Sequence, residues 1–154
     1  MSVENVKAYL SQWGADKKVM EFEASSATVE LAAEAVGTEP ARIAKTLSFA
    51  MEDGCILVVT AGDMKIDNKK FKTYFGVKAK MLSLDVVESL TGHPVGGVCP
   101  FAVKDGVKIY LDESMKRFDM IYPAAGSPNS AVKLTCDELM EYSRAEAWVD
   151  VCKS

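Results

Sequence analysis

Histidine is almost missing from this chain: one residue, His93, among 154. A hydrolase built on a Ser–His–Asp relay, or a zinc site built on imidazoles, has a single residue to draw on. Metal-binding cysteine patterns are missing too. Cys55, Cys99, Cys136 and Cys152 form no CxxC pair and no ligand spacing. They read as free thiols of a reducing compartment, with no metal and no cofactor expected. There is no GxGxxG after a strand and no GxxxxGK[ST], which removes the common nucleotide-cofactor loops. The longest apolar runs, such as CILVVTA at 55–61, have strand length and fall far short of a bilayer. The opening residues, MSVENVKAYLSQW, put acidic and polar side chains where a signal peptide needs an apolar stretch. A cytoplasmic protein with no membrane partner is therefore expected. Positive charge is not in excess either: 18 Lys and Arg against 22 Asp and Glu leave a net −4.

What is present describes a soluble globular protein. Hydrophobic residues make up 49% and charged residues 26%, with no repeat, linker or low-complexity tract, so residues 1–154 read as one domain. The charge is unevenly spread. Residues 65–80 carry six lysines (65, 69, 70, 72, 78 and 80) and one acid, Asp67, a local +5 that leaves −9 elsewhere. Two readings stand: a solvated face, or a footprint for a polyanion with Lys65, Lys69, Lys70 and Lys72 among its contacts.

Periodicity and caps place the elements. Ser2 can cap a first helix, with Val3, Val6, Tyr9, Leu10 and Trp13 at helical spacing and Gly14 just past its end. Residues 18–23 alternate like a strand. Thr28 opens a helix over 29–36 that Gly37 stops, and the Thr38-Glu-Pro-Ala start predicts another running through Arg42 and Ile43 to end near Lys45. The runs 46–51 and 55–61 flank a Glu-Asp-Gly turn, a hairpin signal. Asp67 caps a helix over 68–75, and Ser83 caps one over 84–90. A second D-G turn predicts a hairpin of 101–103 with 107–111. Strands are expected at 118–124 and 131–134, a capping box at Thr135–Glu138 opens the last helix, and 147–151 closes the chain as a strand. Hairpins mixed with short helices predict an α+β fold rather than regular βαβ alternation.

The chemistry concentrates in TGHPVGGVCPF, residues 91–101. His93 and Cys99 lie six apart across flexible residues, so a thiol–imidazole contact is open, but no third group orients the histidine. Two ligands do not make a metal site. A backbone role is the stronger reading. Gly96 and Gly97 permit positive φ and close approach, Pro100 holds Cys99 extended, and the N–H groups of Gly97, Val98 and Cys99 can converge on an anion or a polarised carbonyl. No paired carboxylates sit beside this loop, since Asp63 and Asp105 fall in turns elsewhere.

Three motifs in order, ARIAKTLSF at 41–49, GGVCP at 96–100 and AAGS at 124–127, resemble the YbaK/EbsC family. These are trans-editing aminoacyl-tRNA deacylases related to the insertion domain of bacterial prolyl-tRNA synthetase, and the resemblance covers nearly the whole chain. It implies a compact mixed β-barrel with surrounding short helices, and hydrolysis of mischarged aminoacyl-tRNA. Lys45 matches the family lysine that holds the phosphate or 3′ end of tRNA. Gly96, Gly97 and Pro100, with Val98 and Cys99 between them, match the loop that positions the aminoacyl ester. Because the family varies Ser, Thr and Cys before the proline, Cys99 is not expected to be a nucleophile. Phe101, His93, Gly126 and Ser127 are carried over as substrate contacts, Ser127 with a plain turn role as its alternative. The implied partners are the aminoacylated 3′ end of tRNA and, beyond it, an aminoacyl-tRNA synthetase; a ribose hydroxyl of the substrate activates water. Ala102 departs from the pattern, which has glycine there. If the position needs positive φ, alanine costs about 1 kcal/mol or more. A non-catalytic tRNA-end or nucleotide-binding module, and a Cys99-dependent hydrolase, are the rival readings.

Overall fold

In the computed structural model, which describes residues 2–23, 25 and 28–154, the sheet grows from one hairpin. A helix, α1 (Ser2–Leu10), leads through short 3-10 turns to strand β1 (Val19–Glu21), and α2 (Val29–Val36) follows. The side chain of Ser2, expected as a cap, lies outside the described residues. Thr28 caps α2 by accepting from the Leu31 N–H, and Gly37 ends it at φ +85°. Then come β2 (Ile43–Met51) and β3 (Gly54–Ala61), paired antiparallel from Ala44↔Ala61 to Met51↔Gly54.

The apolar run of β3 is buried from Cys55 to Ala61 because the sheet is covered on both faces. Leu57, Val59 and Ala61, with Ala44, pack against Leu10, Phe101 and Leu111 on one face. Ile56 and Val58, with Phe49, pack against Phe71 on the other. Phe71 is carried by α3 (Asn68–Phe75), which follows the short β4 (Lys65–Ile66) and is capped by the Asp67 carboxylate on the Lys69 and Lys70 N–H groups. The Phe49 and Phe71 ring centroids are 4.8 Å apart.

The remaining elements are α4 (Val87–Thr91), β5 (Lys108–Asp112), β6 (Tyr122–Pro123), β7 (Ser130–Val132), α5 (Cys136–Ser143), β8 (Ala147–Val149) and β9 (Cys152–Lys153). Strands β6-β2-β3-β5-β8 form a curled mixed sheet, parallel at every pair except β2–β3; β1–β7 and β4–β9 are separate two-stranded ladders. The expected capping box at Thr135 and Glu138 forms in full. The α+β class is as the sequence implied, with the barrel realised as a curled, half-closed sheet.

Several expectations change. The helix expected to run to Lys45 is only a 3-10 turn, Pro40–Arg42, and β2 begins at Ile43. Pairing with both β3 and β6 outweighs the local start signal. The 101–103/107–111 hairpin does not form: β5 instead pairs parallel with β3 and β8, and residues 101–103 belong to a loop. Residues 84–86 form a turn closed by the Ser83 main-chain carbonyl, so α4 starts at Val87. Of 118–124 only β6 is strand, with an isolated bridge from Ile121 to Leu134, and β7 covers 130–132 and pairs with β1.

Ala102 sits at φ +53°, in the left-handed region. Alanine is strained there and glycine is not. Ala102→Gly should therefore raise unfolding stability by about 1 kcal/mol, seen as a higher denaturant midpoint at unchanged slope. An unchanged or lower midpoint would show that the loop relaxes the strain at no cost.

Candidate active site

Three segments meet around a cleft of about 330 Å³. One wall is the edge of β2 from Ile43 to Ser48; facing it are Gly96 and Val98 of the loop, with Ala124 and Ser130 at one end and Leu82 and Val87 at the other. The three motifs that the sequence singled out thus all reach one site.

The loop is built on its buried side. His93 is 1% exposed, and its Nε2 lies 2.6 Å from the Phe101 carbonyl, to which it must donate. Cys99 Sγ is 3.5 Å from the same nitrogen and 3.7 Å from the same oxygen. One imidazole therefore ties the start of the loop to its end. Burial pushes the His93 pKa down, only partly countered by the Phe101 carbonyl, so the ring is neutral at pH 7. Burial pushes the Cys99 thiol up to about 12. A fully buried thiol that stays protonated beside an imidazole already committed as donor is no nucleophile. Phe101 is fully buried in the core, 6.4 Å from the Tyr9 ring. His93 and Phe101, expected to touch substrate, therefore lie beneath the cleft and hold its loop.

Cys99→Ser places a hydroxyl where the Phe101 carbonyl can still accept. Release of amino acid from charged tRNA, the activity the resemblance implies, should stay within about threefold of wild type, because the loop amides are unchanged. Loss as deep as that from removing Lys45 would restore the thiol mechanism.

Val95 and Gly96 are the exposed residues of the loop. Gly96 adopts φ +87°. The Gly97 N–H donates to the Pro94 carbonyl at 2.9 Å, which closes a turn and withdraws that amide from the expected set of three. The Val98 and Cys99 amides make no hydrogen bond among the described residues. Of the two, Val98 lines the cleft and Cys99 is buried beneath it.

Gly97 has a different task from the ligand approach expected of it. A Cβ there would lie 2.7 Å from Ser127 Cα and 2.8 Å from the Gly126 carbonyl carbon. The loop and the AAGS turn touch backbone to backbone. Gly126 is at φ +100°, and Ser127 Oγ lies 2.7 Å from Asn129 Oδ1 and 2.9 Å from Ser130 Oγ, so its hydroxyl is engaged within the turn. Gly97→Ala must part the two segments, at a cost of about 2 kcal/mol in stability, and the activity the resemblance implies should fall as the amides move. A variant with wild-type stability and activity would show that the contact is dispensable.

Lys45 is the third residue of β2, and alternation sends its half-buried side chain to the Phe49 and Phe71 face. There its ammonium donates to the Met64 carbonyl. This is the face of α3, on which Lys69 and Lys72 are exposed and Lys70 reaches Asp150 Oδ1 at 3.1 Å and the Cys152 carbonyl at 2.9 Å; Lys65 is exposed on β4. Nearby Asp63 is held by Arg117 at 2.6 and 3.0 Å, and that guanidinium keeps its carboxyl below the ordinary range. The next residue, Thr46, escaped sequence reasoning. It faces the loop side, and its buried Oγ1 has no partner among the described residues. Nothing in the local sequence marks it, because its exposure to the cleft depends on where neighbouring strands stop.

Among the described residues no three His, Cys, Asp or Glu side chains are grouped to hold a metal, and no helix is long and apolar enough to cross a membrane.

The curled mixed sheet carries a glycine loop and a glycine turn that pack against each other beside the open edge of β2. The chain belongs to the aminoacyl-tRNA editing domain family, which residues 23–142 match. It is 53% identical over 154 residues to the uncharacterized protein YwhH of Bacillus subtilis, covering 99% of this chain and 98% of that one. It is 29% identical over 145 residues to the multifunctional Ser/Thr-tRNA deacylase ProXp-y of Escherichia coli, covering 90% and 86%. A crystal structure of a candidate trans-editing enzyme for prolyl-tRNA synthetase superposes with a TM-score of 0.89 at 30% identity, over 99% and 98% of the two chains.

Proposed function

We propose that this protein hydrolyses the ester bond of mischarged aminoacyl-tRNA in trans. The observation that carries the reading is the Val98 amide, without a hydrogen bond among the described residues, in a cleft that Lys45 and the AAGS turn also border. Fixed N–H donors are what a developing oxyanion needs, and they require no reorganisation during the reaction. Strand alternation divides the work. Lys45 and the lysines of α3 lie on one face, suited to phosphates, while Thr46 and the loop lie on the other, suited to the acyl group. Gly96 and Pro100 shape the loop, and Lys65, Lys69, Lys70 and Lys72 supply a salt-sensitive attraction for the tRNA backbone.

None of the described residues lining the cleft is a histidine or a carboxylate. The substrate therefore supplies the base. Water attacks the acyl carbon, the ribose hydroxyl next to the ester takes its proton and passes its own to the leaving oxygen, and the amino acid departs from an intact diol. The small walls at Ala44, Ala124 and Ala131 suit a short aminoacyl side chain, and the Ser/Thr-tRNA deacylase relative makes seryl and threonyl esters the first to try.

A panel of Ala-, Cys-, Ser- and Thr-charged tRNAs tests this. Release of amino acid from at least one at catalytic protein concentration is expected. A gel shift without release from any would make the protein a binding module.

A further inference from the structure

The cleft wall formed by β2 is a strand edge in which one residue has both main-chain groups open. The Ala50 N–H donates to the Lys80 carbonyl and the Ser48 carbonyl accepts from the Leu82 N–H, so the even-numbered residues of β2 turn their main-chain groups away from β3. At the other end Ala44 pairs with Pro123 of β6, where the ladder ends. Between these, Thr46 points its N–H and C=O at the cleft, and among the described residues neither group is hydrogen-bonded. Its Oγ1 also has no partner among the described residues. Three unmatched polar groups on one residue are costly in a folded protein, and such a cluster is what a bound ligand relieves.

The width of the gap decides what fits. From Ala44 to Ser48 the edge spans about 13 Å, and only Thr46 has both main-chain groups open, too little for a partner strand of ordinary length. One amino-acid residue fits. None of the described residues lining the cleft is acidic, so an ammonium entering it has only carbonyl and hydroxyl oxygens as acceptors.

We infer that the aminoacyl group lies against Thr46 as the single missing residue of a neighbouring strand. Its α-ammonium donates to the Thr46 carbonyl and its acyl oxygen accepts from the Thr46 N–H. This rests on the deacylase reading and extends it: the substrate class is an ester with a free α-amino group, and N-acylated esters such as formylaminoacyl- or peptidyl-tRNA are refused. Acylation removes the charge and fills the gap beside the Thr46 carbonyl with a carbonyl of like polarity.

The test uses amide-linked analogues that do not hydrolyse: 3′-(L-seryl)amino-3′-deoxyadenosine, its N-methyl form and its N-acetyl form. Titration into the isotope-labelled protein reads both affinity and individual amides. The seryl and N-methyl analogues should bind within about threefold of each other and the N-acetyl analogue about 30-fold more weakly, the loss of one charge-assisted hydrogen bond. The Thr46 amide should shift and exchange about tenfold more slowly with the free amine bound. Thr46→Val keeps the main chain and should keep the preference for the free amine; losing it would assign the ammonium to the hydroxyl and overturn the inference. Equal binding of the N-acetyl analogue, an unmoved Thr46 amide while Val98 responds, or no binding of the free-amine analogues at millimolar concentration would each overturn it as well. If the Thr46 response is seen but no charged tRNA is hydrolysed, the deacylase reading falls and this inference stands.

Discussion

Lys45→Met should lower deacylation of charged tRNA about 100-fold and leave the fold intact, since one ammonium–phosphate contact is worth a factor of roughly 10 to 150. The fold survives because β2 is held by its main-chain ladder to β3, and the methionine keeps the apolar stem on the Phe71 face. What goes is the ammonium, which the structure shows resting on the Met64 carbonyl, a contact using one of its three protons. The other two remain to meet a phosphate. Because Lys45 and Thr46 lie on opposite faces of one strand, the effect should depend on the substrate. A minimal aminoacyl-adenosine without phosphates should be hydrolysed at the same rate by wild type and variant, while full-length tRNA shows the loss. Rates within a few-fold on charged tRNA, with unchanged circular dichroism, would remove Lys45 from the site. An equal loss on both substrates would place its ammonium at the ester instead.

The second large effect lies in the substrate. A tRNA aminoacylated at the 3′ position but ending in 2′-deoxyadenosine should bind comparably and be hydrolysed about 10²- to 10⁴-fold more slowly, the usual worth of a general base. The structure sharpens this expectation. The one histidine is buried under the loop with its Nε2 proton on the Phe101 carbonyl, and Asp63 is engaged by Arg117. Neither is placed to activate water in the cleft. Binding should survive because the proposed contacts of Lys45, Thr46 and the loop amides are with phosphate, amine and acyl oxygen. Hydrolysis of the deoxy substrate at the ribo rate would mean that a protein group activates the water and that the proton relay through ribose is wrong.

Local signals were legible in the sequence wherever one residue's side chain answers to its own backbone. Thr28 and Gly37 bound α2, Asp67 caps α3, and Thr135 with Glu138 closes the capping box. The turn before Gly54 sets the β2–β3 hairpin, and the glycines at 96 and 126 take positive φ. Alanine at 102, where the family pattern has glycine, pointed to the φ of +53° that it adopts, because that cost depends on φ alone. Tertiary structure decided what depends on distant partners. The parallel pairings of β5 with β3 and β8 overrode a local D-G hairpin signal, and pairing on both sides of Ile43 and Ala44 turned an expected helix end into strand. That change moved Lys45 from a helix terminus into a strand, where a period of two sends it away from the loop and turns Thr46 towards it. Only packing could show that Gly97 is required by the Gly126–Ser127 backbone, that His93 and Cys99 are held inside, and that one residue of a strand edge is left unpaired. The sequence by itself determined the caps at Thr28, Asp67 and Thr135, the turn before Gly54 and the motifs; long-range strand pairing, which no local pattern encodes, determined which face each motif presents.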